Sequence, residues 1–281
     1  MLKKFLKRLI YQLNHFMHHY PKKHLGQNFL VDQNILKKIV SAIDLKNQQV
    51  FEIGAGQGQL TKYLVQTAKQ VVACEIDFRW ISGLETQFAN QTNLTILKAD
   101  FLELDLKPYA QFVLLGNIPY NLSSPILFKI FENHQFFDQV ILLVQKEFAQ
   151  RLVSLPGQSD YGKLTLSTSL FYKATCLFDV EPKAFKPQPK VISTLVHLQR
   201  KPDAKSFATQ KELLLLIKNC FRMRRKTLWN NLRALNVSQA VFEAFCQKQN
   251  LPLQVRPEQL SLNDYLVLFE CVKIKEVAKS F

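Results

Sequence analysis

The chain has 281 residues, of which 47% are hydrophobic, and a net charge of +15. That length suits one large domain with a smaller companion, and no run of 18 apolar residues is present to suggest a membrane-spanning helix. Cysteines at 74, 176, 220, 246 and 271 form no C-x-x-C pair, which argues against a zinc site or a disulfide framework and suits a reducing, cytoplasmic compartment.

The charge is unevenly placed. Residues 1–31 are net +6, residues 32–200 net +2 and residues 201–281 net +7. A nearly neutral middle between two basic ends points to a polyanionic partner, most simply nucleic acid.

Residues 2–20 set Leu2, Phe5, Leu6, Leu9, Leu13 and Phe16 at helical spacing among Lys3, Lys4, Lys7 and Arg8. This pattern predicts a basic amphipathic helix. It suits RNA, a membrane surface or an organellar presequence, and a frayed extension is the plainer alternative. Gln27 and Asn28 then lie on a loop able to cover a ligand. Asp32 is a candidate N-cap for a helix over 33–42, with Ile35, Leu36, Ile39, Val40 and Ile43 on its apolar face.

The strongest local signal is Val50 to Thr61. An apolar strand, a glycine-rich turn and a helix follow one another, and three of the chain's eight glycines are Gly54, Gly56 and Gly58. Glycine permits a tight turn and close backbone approach to a ligand. Position 59 is Gln where the dinucleotide fingerprint has Gly, which counts against NAD. The next predicted strand, Val71 to Asp77, carries Glu75, an acid placed to accept hydrogen bonds from two ribose hydroxyls; Asp77 reads as a helix cap. A third predicted strand, over 94–101, carries Asp100, placed to bond an adenine amino group. Singly, each acid is as well read as a cap or a solvated charge. Together, after a glycine turn, they describe an adenosyl pocket.

Phe112 to Tyr120 opens as a buried strand and ends in Gly116-Asn117-Ile118-Pro119-Tyr120. Pro119 has no N–H and keeps Ile118 extended. The Asn117 amide oxygen and the Ile118 carbonyl can then accept hydrogen bonds from an exocyclic amine such as adenine N6, with the Tyr120 ring available to stack on the base. An ordinary strand and turn with Tyr120 in the core is the alternative. Further on, helices are predicted over 125–131 and 146–155, a strand over 140–144, and late strands over 164–180 and 191–198. Between the late strands, Phe185 sits on a proline-rich loop, either as an exposed second stacking face for a flipped base or as a loop anchor. After a linker at 201–206 the chain reads as helices only. Arg222, Arg224, Arg225 and Lys226 form its densest basic cluster, read as helical and suited to phosphate contacts. Ser261 is a candidate cap of the last helix.

Together these segments resemble the ribosomal-RNA adenine N6,N6-dimethyltransferases that act near the 3′ end of small-subunit RNA. The resemblance runs from about Lys22 to about Leu268. It rests on the segments 24–30, 52–58, 117–120, 185–191, 224–228 and 256–261, with Glu75 and Asp100. It implies an α/β fold, a class I S-adenosylmethionine-dependent methyltransferase with a Rossmann-like seven-stranded sheet, and a small all-α C-terminal domain. It places an N-terminal extension over 1–21, the methyltransferase domain over 22–203 and a helical RNA-binding domain over 204–281. S-adenosylmethionine is the implied methyl donor, held by Asn28, Leu30, Gly54, Gly56, Glu75, Asp100 and Asn117. Asn117, Ile118, Pro119, Tyr120 and Phe185 are the implied catalytic set around the target adenine, and no metal is implied. The implied partners are small-subunit ribosomal RNA and the assembling subunit, with no stable membrane partner and a monomeric state. Ile192 stands where the family usually has an acid. Large-subunit adenine methyltransferases of the macrolide-resistance type share the catalytic motifs, while the 224–228 and 256–261 segments look like the small-subunit branch. An RNA-binding assembly or transcription factor on the same fold is the non-enzymatic alternative.

Overall fold

A computed structural model describes residues 28–223 and 225–278, with 273–278 described by backbone alone. The expected basic helix over 2–20, the 24–27 part of the first motif and Arg224 lie outside the described residues.

The elements in chain order begin with β1 (Phe29–Leu30), α1 (Gln33–Val40), β2 (Gln49–Ile53), α2 (Thr61–Thr67), β3 (Gln70–Glu75), α3 (Phe78–Gln87) and β4 (Leu94–Lys98). They continue with β5 (Val113–Asn117), α4 (Ser123–Glu132), β6 (Gln139–Gln145), α5 (Lys146–Val153), α6 (Lys163–Phe171), β7 (Tyr172–Val180), β8 (Phe185–Lys186) and β9 (Ser193–Arg200). From there on the regular elements are helical: α7 (Phe207–Cys220), α8 (Leu228–Arg233), α9 (Gln239–Lys248), a short 3₁₀ turn and α10 (Leu262–Ala278).

Seven strands form one sheet in the order β4-β3-β2-β5-β6-β9-β7, as expected from the resemblance. β2 pairs in parallel with both β3 and β5, and β4 and β6 extend the parallel core on either side. Strand order therefore reverses between β2 and β5. In such sheets the crevice outside the carboxyl ends at the reversal is where ligands bind. The central strands are buried runs, with Val50, Phe51, Ile53, Val113, Leu114 and Leu115 all in the core, because a parallel sheet is covered on both faces. β1 and β8 form a separate antiparallel ribbon, with Phe29 opposite Lys186 and Leu30 opposite Phe185.

Several caps follow the sequence reading. Asp32 Oδ1 accepts from the amides of Asn34 and Ile35 at 2.9 and 3.2 Å. Asp77 Oδ1 accepts from Arg79 N at 3.2 Å, and Ser261 Oγ accepts from Asp264 N at 3.2 Å. Such caps satisfy amides that helix starts leave unpaired.

The late strand expected over 164–180 is a helix over its first half. α6 buries Leu164, Thr165, Leu166, Ser167, Thr168, Leu170 and Phe171 nearly all round. It therefore has no apolar stripe, and its alternation of Leu with Ser and Thr imitates a strand. Two of its hydroxyls bond main-chain carbonyls, Thr168 Oγ1 donating to Leu164 O at 2.8 Å and Thr165 Oγ1 to Arg151 O at 2.6 Å.

The chain forms two compact units. One holds the described residues up to Lys146 together with Leu177–His197; the other holds Glu147–Cys176 and the described residues from Leu198 on. The expected boundary at 203/204 follows the chain, whereas the compact units group the segment of α5 and α6 with the later helices.

Candidate active site

The carboxyl ends of β2, β3 and β5, with the segment leading into β1, enclose one cavity in the first unit. Asn28, Leu30, Gly54, Gly56, Glu75, Asp100 and Asn117, the residues assigned to a cofactor from sequence, all line it, as do Ile118, Pro119 and Tyr120.

Local backbone chemistry explains the shape. Gly54, Gly56 and Gly58 have φ of +74, +54 and +75°, a region that side chains disfavour. At Gly56 a Cβ would also come within 2.7 Å of the Phe29 ring. At Gly116 a Cβ would meet the Ile53 carbonyl at 2.7 Å, so the close approach of β5 to β2 at the cavity floor requires glycine.

Glu75 is 5% exposed, and its oxygens accept from Gly56 N at 2.7 Å and Asp77 N at 2.8 Å. The carboxylate thus pins the glycine turn to the end of β3. A carboxylate offers about four acceptor positions, so these amides leave capacity for a ligand hydroxyl. Burial raises its affinity for a proton, against the opposing effect of those amides. Asp77 is turned to Arg79, with which it forms a buried ion pair. Asp100 Oδ1 accepts from Leu102 N at 2.9 Å, which fixes its carboxylate at the end of β4.

Asn117 closes β5. Its Nδ2 donates to the Asn28 carbonyl at 2.9 Å, which leaves Oδ1 as the acceptor end of the amide. The Tyr120 hydroxyl shares a 2.6 Å hydrogen bond with Ser193 Oγ at the start of β9, so the ring is held at both ends.

Phe185 departs from expectation. Its side chain is 0% exposed, packed in the core with Leu30, Leu36 and Leu195, and it does not line the cavity. Pairing of β8 with β1 turns it inward, so it offers no free face to a base, and Tyr120 is the cavity's aromatic candidate from the sequence set.

Glu52 is a site residue that no sequence motif assigns. It is 2% exposed, lines the cavity and accepts from Thr61 Oγ1 at 2.6 Å. Burial, with Glu75 nearby, pushes its carboxyl up to about 7. An acid inside an otherwise apolar strand was the available signal. The cavity lining therefore includes Glu52, Glu75 and Asp100 and, among the described residues, no Lys, Arg or His. Such a lining repels phosphate and favours a ligand with positive charge and apolar surface.

In the second unit, residues 221–223 and 225–227, between α7 and α8, are turn and not the helix expected. Asn231, buried, holds it from inside, accepting from Met223 N at 2.9 Å and donating to Thr227 O at 3.2 Å. Arg222, Arg225 and Lys226 are exposed on the turn.

Among the described residues no group of His, Cys, Asp and Glu suited to a metal occurs, and no helix is long and apolar enough to cross a membrane.

Comparison with known proteins places this architecture. Residues 18–273 match the family described as ribosomal RNA adenine dimethylase. The chain is 42% identical over 253 residues to the ribosomal RNA small subunit methyltransferase A of Mycoplasma mobile, covering 90% of this chain and 98% of that protein. A solved dimethyladenosine transferase from Plasmodium falciparum superposes with a TM-score of 0.74 at 31% identity, covering 88% of this chain and 98% of the other. The 23S rRNA methyltransferase ErmE superposes with a TM-score of 0.70 at 26% identity, covering 88% and 100%. The sheet order, the ligand crevice and these matches together make the chain a member of the ribosomal RNA adenine dimethylase family, with a class I methyltransferase fold.

Proposed function

We propose that this chain transfers methyl groups from S-adenosylmethionine to N6 of adenines near the 3′ end of small-subunit ribosomal RNA, dimethylating two adjacent adenines during assembly of the small subunit. The observation that carries the reading is the cavity at the strand-order reversal, lined by Glu52, Glu75 and Asp100 with no cation among the described residues, and closed by Asn117. S-adenosylmethionine carries a sulfonium and an ammonium, and its ribose hydroxyls and adenine amino group are donors that acidic residues accept, so its chemistry fits that lining. Glu75 holds the ribose hydroxyls, Asp100 the adenine amino group of the cofactor, and the turn at Gly54 and Gly56 allows close approach. When bound, the cofactor supplies an electrophilic methyl group.

The rest is done by the chain's own groups. The N6 lone pair of adenine is delocalised into its ring. Asn117 Oδ1 and the Ile118 carbonyl accept the two N6 hydrogens and draw the amine towards a tetrahedral shape, which frees the lone pair. The hydrogen bond from Nδ2 to Asn28 keeps the amide from flipping. Tyr120 stacks on the extruded base, its ring steadied through Ser193. Leaving the RNA stack costs roughly a few kcal/mol. Orientation of this kind lowers a barrier by about 7 kcal/mol or more when it is complete. No strong base is required, because the methylated amine is acidic and loses its proton to water. Cys74, the cavity's thiol, is pushed up to about 12 by burial and is not a base at neutral pH.

The small-subunit branch is favoured over the large-subunit one by 42% identity to a small-subunit methyltransferase against 26% to a 23S enzyme. An intact Asn117-Ile118-Pro119-Tyr120 favours catalysis over a purely binding role. Unit two supplies RNA contacts through Arg222, Arg225 and Lys226, and Arg224 belongs to the same proposed set. A monomer in the cytoplasm is the simplest setting. Mass spectrometry of small-subunit RNA from cells lacking the gene tests the reading: adjacent N6,N6-dimethyladenines near the 3′ end should disappear and return with the gene. Their persistence would contradict it.

A further inference from the structure

We propose that the loop 186–191 is an RNA-backbone clamp at the mouth of the cavity, in which Lys186 and Lys190 hold phosphates flanking the extruded nucleotide. Both ends of the loop are fixed to residues of the site. At its start, Lys186 is the register partner of Phe29 and Phe185 that of Leu30, and Phe29 and Leu30 both line the cavity. At its end, Ile192 O accepts from Lys146 N at 3.0 Å, and Ser193 Oγ meets the hydroxyl of Tyr120, also a lining residue. The six-residue span between these anchors joins the Asn28 side of the cavity to the Tyr120 side.

The composition of the span matches that place. Lys186, Pro187, Gln188, Lys190 and Val191 are exposed. Positions 182–191 contain Lys183, Lys186 and Lys190 and no acid. Neither Lys186 nor Lys190 is in an ion pair among the described residues. Pro187 and Pro189 restrict the loop before anything binds, which reduces the ordering that binding must impose.

Electrostatics gives the loop its task. The cavity's three carboxylates favour a cationic cofactor but repel the phosphates on either side of an incoming adenine. The base must enter while its backbone stays outside, and cations at the rim allow both. Lysine suits this because its ammonium is a point charge on a flexible stem that tolerates varied phosphate positions. With Phe185 buried beneath it, the loop grips backbone and not base. This inference rests on the RNA reading of the site.

The test uses the full chain and unmethylated small ribosomal subunits, with affinity measured by filter binding across a salt series. Lys186→Ala/Lys190→Ala should lower the slope of log affinity against log salt by about 1.4–1.8, from roughly 0.7–0.9 for each phosphate no longer neutralised. The subunit concentration for half-maximal rate should rise, with the rate at saturation and the calorimetric affinity for S-adenosylmethionine retained. Lys186→Arg/Lys190→Arg should restore the slope, which a purely structural role would not require. An unchanged slope in the alanine variant, or a loss that arginine fails to restore, overturns the clamp alone. Absence of salt-dependent binding by the unsubstituted chain would overturn the RNA reading and the clamp with it.

Discussion

The cavity of the first unit and the basic turn of the second are built on opposite plans. Around the cavity, Glu52 and Glu75 are buried, no cation lines the wall among the described residues, and Glu75, Asp100 and Asn117 are each held by backbone partners. On the turn, Arg222, Arg225 and Lys226 all face solvent, while the buried amide of Asn231 holds the backbone at Met223 and Thr227. A small cationic cofactor and one base call for a fixed, desolvated wall. A folded RNA calls for charge spread over a surface, where each contact is screened and individually weak. Substitutions in the two regions should therefore differ in size and in kind.

The largest effect is expected at Asn117. Asn117→Ala removes an acceptor for N6 and the hydrogen bond to Asn28 together. The single-turnover methylation rate should fall by about 10²-fold or more, the order associated with a misplaced reacting group. Calorimetric binding of S-adenosylmethionine should be affected much less. A variant that methylates at the unsubstituted rate would remove Asn117 from the reaction.

Glu75→Ala comes next. Loss of charged hydrogen bonds to ribose should weaken cofactor binding by about 1.5–3 kcal/mol. Because the same carboxylate holds Gly56 N and Asp77 N, the glycine turn should also loosen, read as faster amide exchange at Gly56. Unchanged affinity would take Glu75 out of the pocket.

A smaller effect tests the acidity of the wall. The folded chain holds a proton on Glu52 up to about 7, while an exposed glutamate releases it near 4.5. The folded state therefore binds more protons between those values, and the free chain's stability should decline as pH rises from about 4.5 through about 7. Ionised Glu52 should favour a cationic ligand, so cofactor affinity should climb as pH passes through about 7 and then level off. Glu52→Gln should flatten that climb, and a climb that persists in the variant would assign it to another group.

How far each region was legible in the sequence follows from the same contrast. The glycine turn, Glu75, Asp100 and Asn117 announce themselves because a switch-point crevice is made of short segments at strand ends, each with its own local signature. Tertiary context hid the rest. Phe185 looked exposed on its proline-rich loop, but pairing with Leu30 turns it into the core. α6 looked like a strand because its serines and threonines are buried with its leucines. The turn that follows α7 reads as helical because the side chain that holds it, Asn231, lies four residues beyond Thr227 and carries no local turn signal. Glu52 was visible but unassigned, since a lone acid in a strand acquires meaning only once Glu75 and Thr61 are known to adjoin it.

The smallest single effects belong to the second unit. Arg222→Ala/Arg225→Ala should leave cofactor affinity intact and lower the salt slope of RNA binding by about 0.7–0.9 for each phosphate that an arginine no longer neutralises. Filter binding over a salt series checks this, and an unchanged slope would make these arginines a solvated surface.

The most direct measurement is transfer of labelled methyl groups from S-adenosylmethionine by the purified chain to unmethylated small subunits, with unmethylated large subunits in parallel. Nucleoside analysis of the products should place the label as N6,N6-dimethyladenine in small-subunit RNA only. Label confined to large-subunit RNA, or no transfer to either particle by a chain that binds both cofactor and RNA, would contradict the account.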